Sequence, residues 1–382
     1  MTAPRCIAVV TTGRADYGLF VPVLEAAAAC DALDLSLYVT GAHLAGGHGP
    51  SFDRIIADGW PITASVPIPS GDHPGAMGEA IAEGVNGFTG ALITHEPDAV
   101  LVLGDRFETI AAALAASACA VPIAHLHGGE ITAGAVDNQF RYAITALANL
   151  HLVATERARA RLIAMGESRD SVKRTGAPGL DHLTGFKPMP RAEFNASTGM
   201  TGEGVFLLVT LHPTTLDDTD PAAQARELLA AFDKTGAPCL ITAANQDPGG
   251  GAINAVLRAA ARDRGWVFAD ALGPGVYHSA MHHAAAMVGN SSSGIIEAAT
   301  LGLPVVNIGE RQAGRERSGN VIDCGHGADE IGDAIGQALA MGRREYANLY
   351  GDGHAGPRIV DALAAMPLGA PFLRKRFEPP GL

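Results

Sequence analysis

The chain is short of most features that would assign it to a specialised class. Its five cysteines, Cys6, Cys30, Cys119, Cys239 and Cys324, lie too far apart for a CxxC pair or a Cys/His zinc pattern. They read as buried thiols of a reducing cytosol, not as a disulfide framework. No stretch reaches the roughly 20 uninterrupted apolar residues that a bilayer span requires. The opening MTAPRCIAVV enters an apolar run without the charged region or cleavage site of a leader. Positive charge is scarce, with 27 Lys and Arg against 40 Asp and Glu, for a formal net charge of -13. That excludes a basic face for nucleic acid and a polybasic strip for an acidic membrane. An anionic ligand would have to be held by a few placed arginines and by backbone dipoles. With 47% apolar and 18% charged residues, the expectation is a soluble, cytoplasmic globular protein without disorder.

What the chain does have is alternation. At 382 residues it exceeds the size at which one core keeps growing, so two domains are expected. Short β-branched runs alternate with Ala-rich segments, the signature of βαβ units and parallel sheets. The first half offers strands at Cys6–Thr11, Leu35–Thr40, Ala99–Leu103, Pro122–His125 and Leu150–Ala154, with helical spacing at Thr109–Ala118 and Phe140–Ala148. Pro188, Pro190, Asn195 and Gly199 suggest an irregular break over Gly185–Thr201. A second series follows at Val205–Thr210, Cys239–Ala243, Val267–Ala269, Met287–Val288 and Val305–Asn307. The expected fold class is α/β, two Rossmann-like domains with parallel sheets. Residues 1–186 would form the first domain and 187–355 the second, with 356–382 a helical segment packing back on the first.

In open α/β sheets, ligands bind where strands end and helix N-termini present unpaired N–H groups. The chemistry-bearing residues sit there. After the first strand, Gly13-Arg14 forms a turn that would serve a phosphate or would simply be a βα turn with a surface arginine. Asp105 and Arg106 follow the third run; Asp105 could also be only the N-cap of the next helix. His125, His127, Gly128, Gly129, Glu130, Asp137 and Arg141 make the densest loop, a poor packing motif because charge is seldom buried without a task. Alternation along an extended chain would point His125 and His127 opposite ways, against a shared metal and with His125 in the core. In the second half, His212 follows a strand and could move a proton or hydrogen-bond a phosphate. Ser291 and Ser292 at a strand-to-helix turn, with Arg311 and Arg315 after the next strand, make an anion clamp, and Glu297 in the first turn could accept from both ribose hydroxyls.

The stretches TTGRADYG, TGAHL, LGDRFET, AHLHGGE, TGAPGLDHL, VTLHPTT, VGNSSSGIIEA and RQAGRERSGNV together resemble the UDP-N-acetylglucosamine 2-epimerase family over nearly the whole chain. The resemblance implies the two-domain glycosyltransferase-B architecture, with the reaction in the cleft between domains. GRADYG, GDRF, HGGE and RQxGR are similar to the hydrolysing branch that supplies sialic and legionaminic acid precursors; the GTRPE opening of the non-hydrolysing branch is absent. The implied reaction eliminates UDP through a glycal and adds water to give the free 2-epimer. The substrate would be UDP-N-acetylglucosamine or UDP-N,N'-diacetylbacillosamine. By motif position, the resemblance makes Asp105, Glu130, Asp137 and His212 catalytic. It makes Arg14, His43, Arg106, His127, Arg141, Asp181, Ser291, Ser292, Glu297, Arg311 and Arg315 substrate contacts. Some relatives carry a glutamate at the place of His127, so the acid/base role falls to Glu130 or His127; Glu130 is the assignment taken. No cofactor and no metal are expected, nor nucleic-acid or membrane partners, and relatives form homodimers or homotetramers. Rival readings are a non-hydrolysing epimerase, a glycosyltransferase of the same architecture, and a nucleotide-sugar binding protein without turnover.

Overall fold

The computed structural model describes residues 3–45, 50–69, 71, 73, 75–132, 137–214, 219–245 and 248–378. The chain divides into two compact units: Met1–Glu130, Val136–His182 and Tyr350–Leu382 form the first, and Leu183–Leu349 with the segment Ile131–Ala135 the second. Among the described residues, no helix is long and apolar enough to cross a membrane.

Among the described residues, the first unit is built on seven parallel strands: β1 (Arg5–Thr11), β2 (Leu33–Thr40), β3 (Ile62–Val66), β4 (Ala99–Leu103), β5 (Ile123–Leu126), β6 (Leu150–Val153) and β7 (Val172–Arg174). They lie in the order β3-β2-β1-β4-β5-β6-β7. Strand side chains alternate between faces, and β1 shows what that requires. Ile7 and Val9 pack in one core layer with the helices Arg14–Ala28 and Ala355–Ala365. Ala8 and Val10 pack in the other, with the helices Ala76–His95 and Phe107–Ala118. A strand covered on both faces must be apolar throughout, which is why these runs show little alternation.

Among the described residues, the second unit repeats the plan with six parallel strands: β8 (Leu207–Thr210), β9 (Cys239–Thr242), β10 (Val267–Ala269), β11 (Ala286–Gly289), β12 (Val305–Ile308) and β13 (Val321–Cys324), in the order β10-β9-β8-β11-β12-β13. Leu207 and Val209 face one layer, Leu208 the other. Strand order reverses between β1 and β4 in one sheet and between β8 and β11 in the other. Chain crossovers diverge at such points and leave a crevice at the carboxyl ends.

One expectation fails outright. The stretch expected to be an irregular break contains the helix Arg191–Thr198. Pro190 stands at its N-cap, where a missing N–H costs nothing, and Gly199 at its C-cap takes φ +80. Phe194, fully buried, stacks on Phe206 at 5.9 Å. The residues that read as breakers are this helix's start and stop.

The helix Ala355–Ala365 is pinned at both ends. Asp181 accepts the N–H groups of Ala355 (2.8 Å) and Gly356 (2.6 Å), and Arg5 donates to the carbonyl of Leu363 at 3.2 Å. A Cβ on Gly356 would stand 2.5 Å from the carbonyl oxygen of Pro22, so glycine lets this helix approach the helix Arg14–Ala28. Gly356→Val is expected to destabilise the first unit by about 1–3 kcal/mol, seen as a lowered melting temperature. An unchanged melt would show that the two helices do not pack at this distance.

Candidate active site

In the first unit the loop after β1 is organised by Asp16. Helix N-termini leave N–H groups without intrahelical partners, and the Asp16 carboxylate, in the first turn, accepts those of Thr12 (2.6 Å) and Gly13 (2.8 Å) as well as the Thr11 hydroxyl (3.1 Å). Arg14 is thereby set at the head of the helix, exposed to solvent. Thr11 in turn meets His43 Nε2 at 2.9 Å, and His43 Nδ1 meets Ser51 at 2.9 Å. The sequence reading put His43 against the substrate. It is instead fully buried with both ring nitrogens engaged, and burial lowers its pKa. Asp181 changes role as well, since both of its oxygens cap the helix Ala355–Ala365.

The loops after β4 and β5 come together. The helix after β4 begins at Phe107 with Arg106 at its N-cap position, so Asp105 is not the cap. Asp105 pairs with Arg141, whose other arm donates to the carbonyl of His127 at 2.8 Å. Arg106 forks onto buried Glu108 at 3.0 and 2.9 Å. His125 ends inside the core, bonded to the Gly104 carbonyl at 2.7 Å, and burial drives its pKa down to about 3.

His127 does not continue the strand. Its φ of +60 is left-handed, a conformation costly for a residue with a Cβ and stable only where neighbours enforce it. Here the Leu152 carbonyl holds its N–H at 3.1 Å and Arg141 holds its carbonyl. The turn aims Nδ1 at Glu130, 2.5 Å away, while Nε2 is buried without a partner among the described residues. A carboxylate can only accept, so Nδ1 donates and Nε2 is the ring atom left to meet a ligand. Asp137 begins the next helix. Burial first, then the neighbouring Asp105, raises its pKa above the ordinary carboxyl value, against the pull of Arg106 and Arg141.

In the second unit the hub is Asn290, which the sequence reading passed over. A Cβ on Gly289, at φ +138, would sit 1.9 Å from the Thr210 carbonyl oxygen. Glycine there lets β8 and β11 end in register, with Asn290 N–H on Thr210 at 3.0 Å. The Asn290 carboxamide then grips the His212 backbone from both sides, accepting its N–H at 2.7 Å and donating to its carbonyl at 2.8 Å. The Asn290 carbonyl takes Arg311 at 3.2 Å and Gln312 at 2.9 Å. His212 Nδ1 accepts the Asn245 N–H at 3.0 Å, which leaves the ring proton on Nε2. Burial, then Arg311, lowers the His212 pKa to about 3, so the ring is neutral.

Ser291 caps the short helix Ser292–Ile296 and shares its hydroxyl with Ser293 at 2.8 Å; Tyr277 meets Ser293 at 2.6 Å. Burial and then Glu297 push the Tyr277 hydroxyl up to about 12, keeping it a donor. Glu297 meets His278 at 3.2 Å, and Arg315 lies half-buried beyond Arg311. Thr215, last in the His212 motif, lies outside the described residues. Among the described residues, no three His, Cys, Asp or Glu side chains cluster as metal ligands would. The signals for the two missed organisers were present: an acid in the first helical turn for Asp16, and an asparagine at a strand-end turn for Asn290.

Two Rossmann-like units with polar groups gathered at the carboxyl ends of their parallel strands define an α/β protein of the glycosyltransferase-B type. More narrowly, the chain belongs to the UDP-N-acetylglucosamine 2-epimerase family, whose profile matches residues 25–364. It is 37% identical over 97% of its length, and 98% of the relative's, to a UDP-N,N'-diacetylbacillosamine 2-epimerase (hydrolyzing) of Legionella pneumophila. A GDP/UDP-N,N'-diacetylbacillosamine 2-epimerase (hydrolyzing) of Campylobacter jejuni is 32% identical over 84% of each chain. In fold, the chain is similar to the UDP-GlcNAc 2-epimerase of Neisseria meningitidis solved with UDP-GlcNAc, with a TM-score of 0.81 at 18% identity, covering 94% of this chain and 99% of that one.

Because His212 is neutral when folded and titrates at its ordinary value when unfolded, the unfolded chain binds the extra proton. Its contribution to stability is complete above about 6.5 and is lost as pH falls toward about 3. His212→Asn keeps an acceptor for the Asn245 N–H but does not titrate. The variant should lose less melting temperature than the parent between pH 7 and pH 4, by several degrees. Parallel curves would contradict the neutral, buried imidazole.

Proposed function

We propose that the chain is a hydrolysing UDP-sugar 2-epimerase acting on UDP-N-acetylglucosamine or UDP-N,N'-diacetylbacillosamine. The observation that carries this reading is the full-length similarity to the Legionella enzyme so named. The side-chain chemistry of the two units supports it. Removal of the C2 proton places a C1=C2 bond as the C1–O bond breaks and UDP departs. Water then adds its oxygen to C1 and a proton to C2 from the opposite face, giving UDP and the free 2-epimer. Such a reaction needs two proton-handling groups and a partner for the leaving oxygen.

We assign the proton work to His127 and Asp137. Nε2 is the basic atom of an imidazole oriented by Glu130, and the raised pKa of Asp137 suits a carboxyl that both holds and gives up a proton. This transfers the reacting atom from Glu130, the sequence assignment, to His127. Asp105, paired with Arg141, supplies fixed charge. His212 donates Nε2–H to the departing diphosphate, and Arg311 and Arg315 neutralise it. Ser291 and Ser292 hold phosphate oxygens, Glu297 accepts from ribose, and Arg14 and Arg106 reach the substrate as additional cations. His43 and Asp181 act through the elements they fix. The reading extends to a cytoplasmic homodimer or homotetramer that supplies precursors of sialic- or legionaminic-type acids.

Incubation with each UDP-sugar should release UDP and a free mannose-configured sugar in equal amounts. Asp137→Asn and His127→Asn should each lower that release by roughly two to four orders of magnitude, with Glu130→Gln less severe. Arg311→Ala should weaken UDP binding by roughly ten- to a hundredfold. An epimer still attached to UDP would identify a non-hydrolysing enzyme, and turnover only with an added acceptor would identify a glycosyltransferase.

A further inference from the structure

The end of the first sheet remote from Asp105 and His127 carries a cavity of about 900 Å3, where β6 and β7 begin. Its size is that of small-molecule sites, roughly 300–1,000 Å3. One wall comes from the sheet and the loop 166–171 that follows the helix Glu156–Ala164, the other from the end of the helix Ala355–Ala365 and the segment after it.

That segment is tied down by polar bonds. Asn149 donates to the Phe372 carbonyl at 3.1 Å, and Glu378 N–H reaches Gly166 at 3.1 Å. Lys375 donates to the Thr145 carbonyl at 2.9 Å and to Glu167 at 2.6 Å; Glu167, itself buried, also pairs with His151 at 3.0 Å. An ammonium has three N–H donors, so Lys375, which lines the cavity, keeps one beyond these two.

The lining divides by chemistry. Leu150, Ile163, Met366 and Phe372 make an apolar floor. Around the mouth, Arg169, Lys173 and Arg374 are exposed and have no ion-pair partner among the described residues. Asp170 is the acid left among them, since Glu167 is taken by Lys375, and Glu378 lies 3.9 Å from Arg376. In a chain of net charge -13, a mouth with a surplus of cations over an apolar floor matches one ligand class.

We propose that this cavity is a second binding site, for a small amphiphilic anion. Its apolar body lies on Met366 and Phe372, and its carboxylate or phosphate meets Arg169, Arg374 and the remaining N–H of Lys375. The site is separate from the proposed chemistry and does not depend on it.

The test uses the intact chain and the fluorescence of 8-anilinonaphthalene-1-sulfonate, an aromatic sulfonate. One saturable site is expected, displaced by phenyl phosphate but not by phenol. Arg169→Glu combined with Arg374→Glu should weaken dye binding at least tenfold with melting temperature and UDP release unchanged, and Lys173→Glu should weaken it less. Unchanged affinity in the double variant would overturn the proposal. Displacement by UDP would also overturn it, placing the dye among the nucleotide contacts. So would dye binding lost in proportion to self-association, which would make the cavity a subunit contact.

Discussion

A parallel sheet covered by helices on both faces leaves its strands room only for polar side chains that are bonded internally, as His125 and His151 are, so chemistry is confined to the strand ends. Everything distinctive about this chain follows from that constraint. Along β1, Ile7, Ala8, Val9 and Val10 are consumed by two core layers. The first polar residues able to face a ligand are those of the turn that follows. The same holds after β4, β5, β8 and β11, where Asp105, His127, His212 and Ser291 stand. Strand order reverses between β1 and β4 and between β8 and β11, so these loops fall at the points where crossovers leave open space.

Confinement to loops creates a second problem, because a loop side chain without support does not hold a fixed geometry. Each unit solves it with one short polar residue that satisfies several backbone groups at once. Asp16 gathers Thr11, Thr12 and Gly13, and through Thr11 and His43 the support reaches Ser51. Asn290 gathers His212, Arg311 and Gln312. Buried polar networks of this kind are rigid when all their members are satisfied.

This explains what could be read from the sequence and what could not. Central strands such as Ala99–Leu103 were legible because both-face burial demands an unbroken apolar run. Three of the four described edge strands, Ile62–Val66, Val172–Arg174 and Val321–Cys324, were not, for an edge is half-exposed and tolerates residues such as Lys173 and Asp323, whereas the fourth, Val267–Ala269, keeps an apolar run and was read. The helix Arg191–Thr198 was hidden by its own punctuation, Pro190 and Gly199. Among the candidate site residues, position after a strand singled out Asp105, Glu130, Asp137, His212 and Arg311. His43 and Asp181 entered by motif resemblance, and residue type did not show that both are engaged within the fold. Orientation depends on backbone twist, as the left-handed turn at His127 shows, and that is not written in residue type.

The two histidines given chemical roles illustrate what the fold adds beyond residue identity. Both have Nδ1 occupied, but by opposite partners. At His212 a backbone N–H occupies Nδ1, so the ring presents Nε2–H and is a donor. At His127 a carboxylate occupies it, so Nδ1 is the donor and Nε2, without a partner among the described residues, is the atom to which we assign the base role. A neutral donor can meet a leaving diphosphate without the desolvation cost of a buried cation, which falls instead on guanidinium groups, always charged and weakly hydrated. In a chain so short of positive charge, the proposed division would let a few arginines carry the electrostatics while the imidazoles are set, one to donate and one to accept, by a single hydrogen bond each.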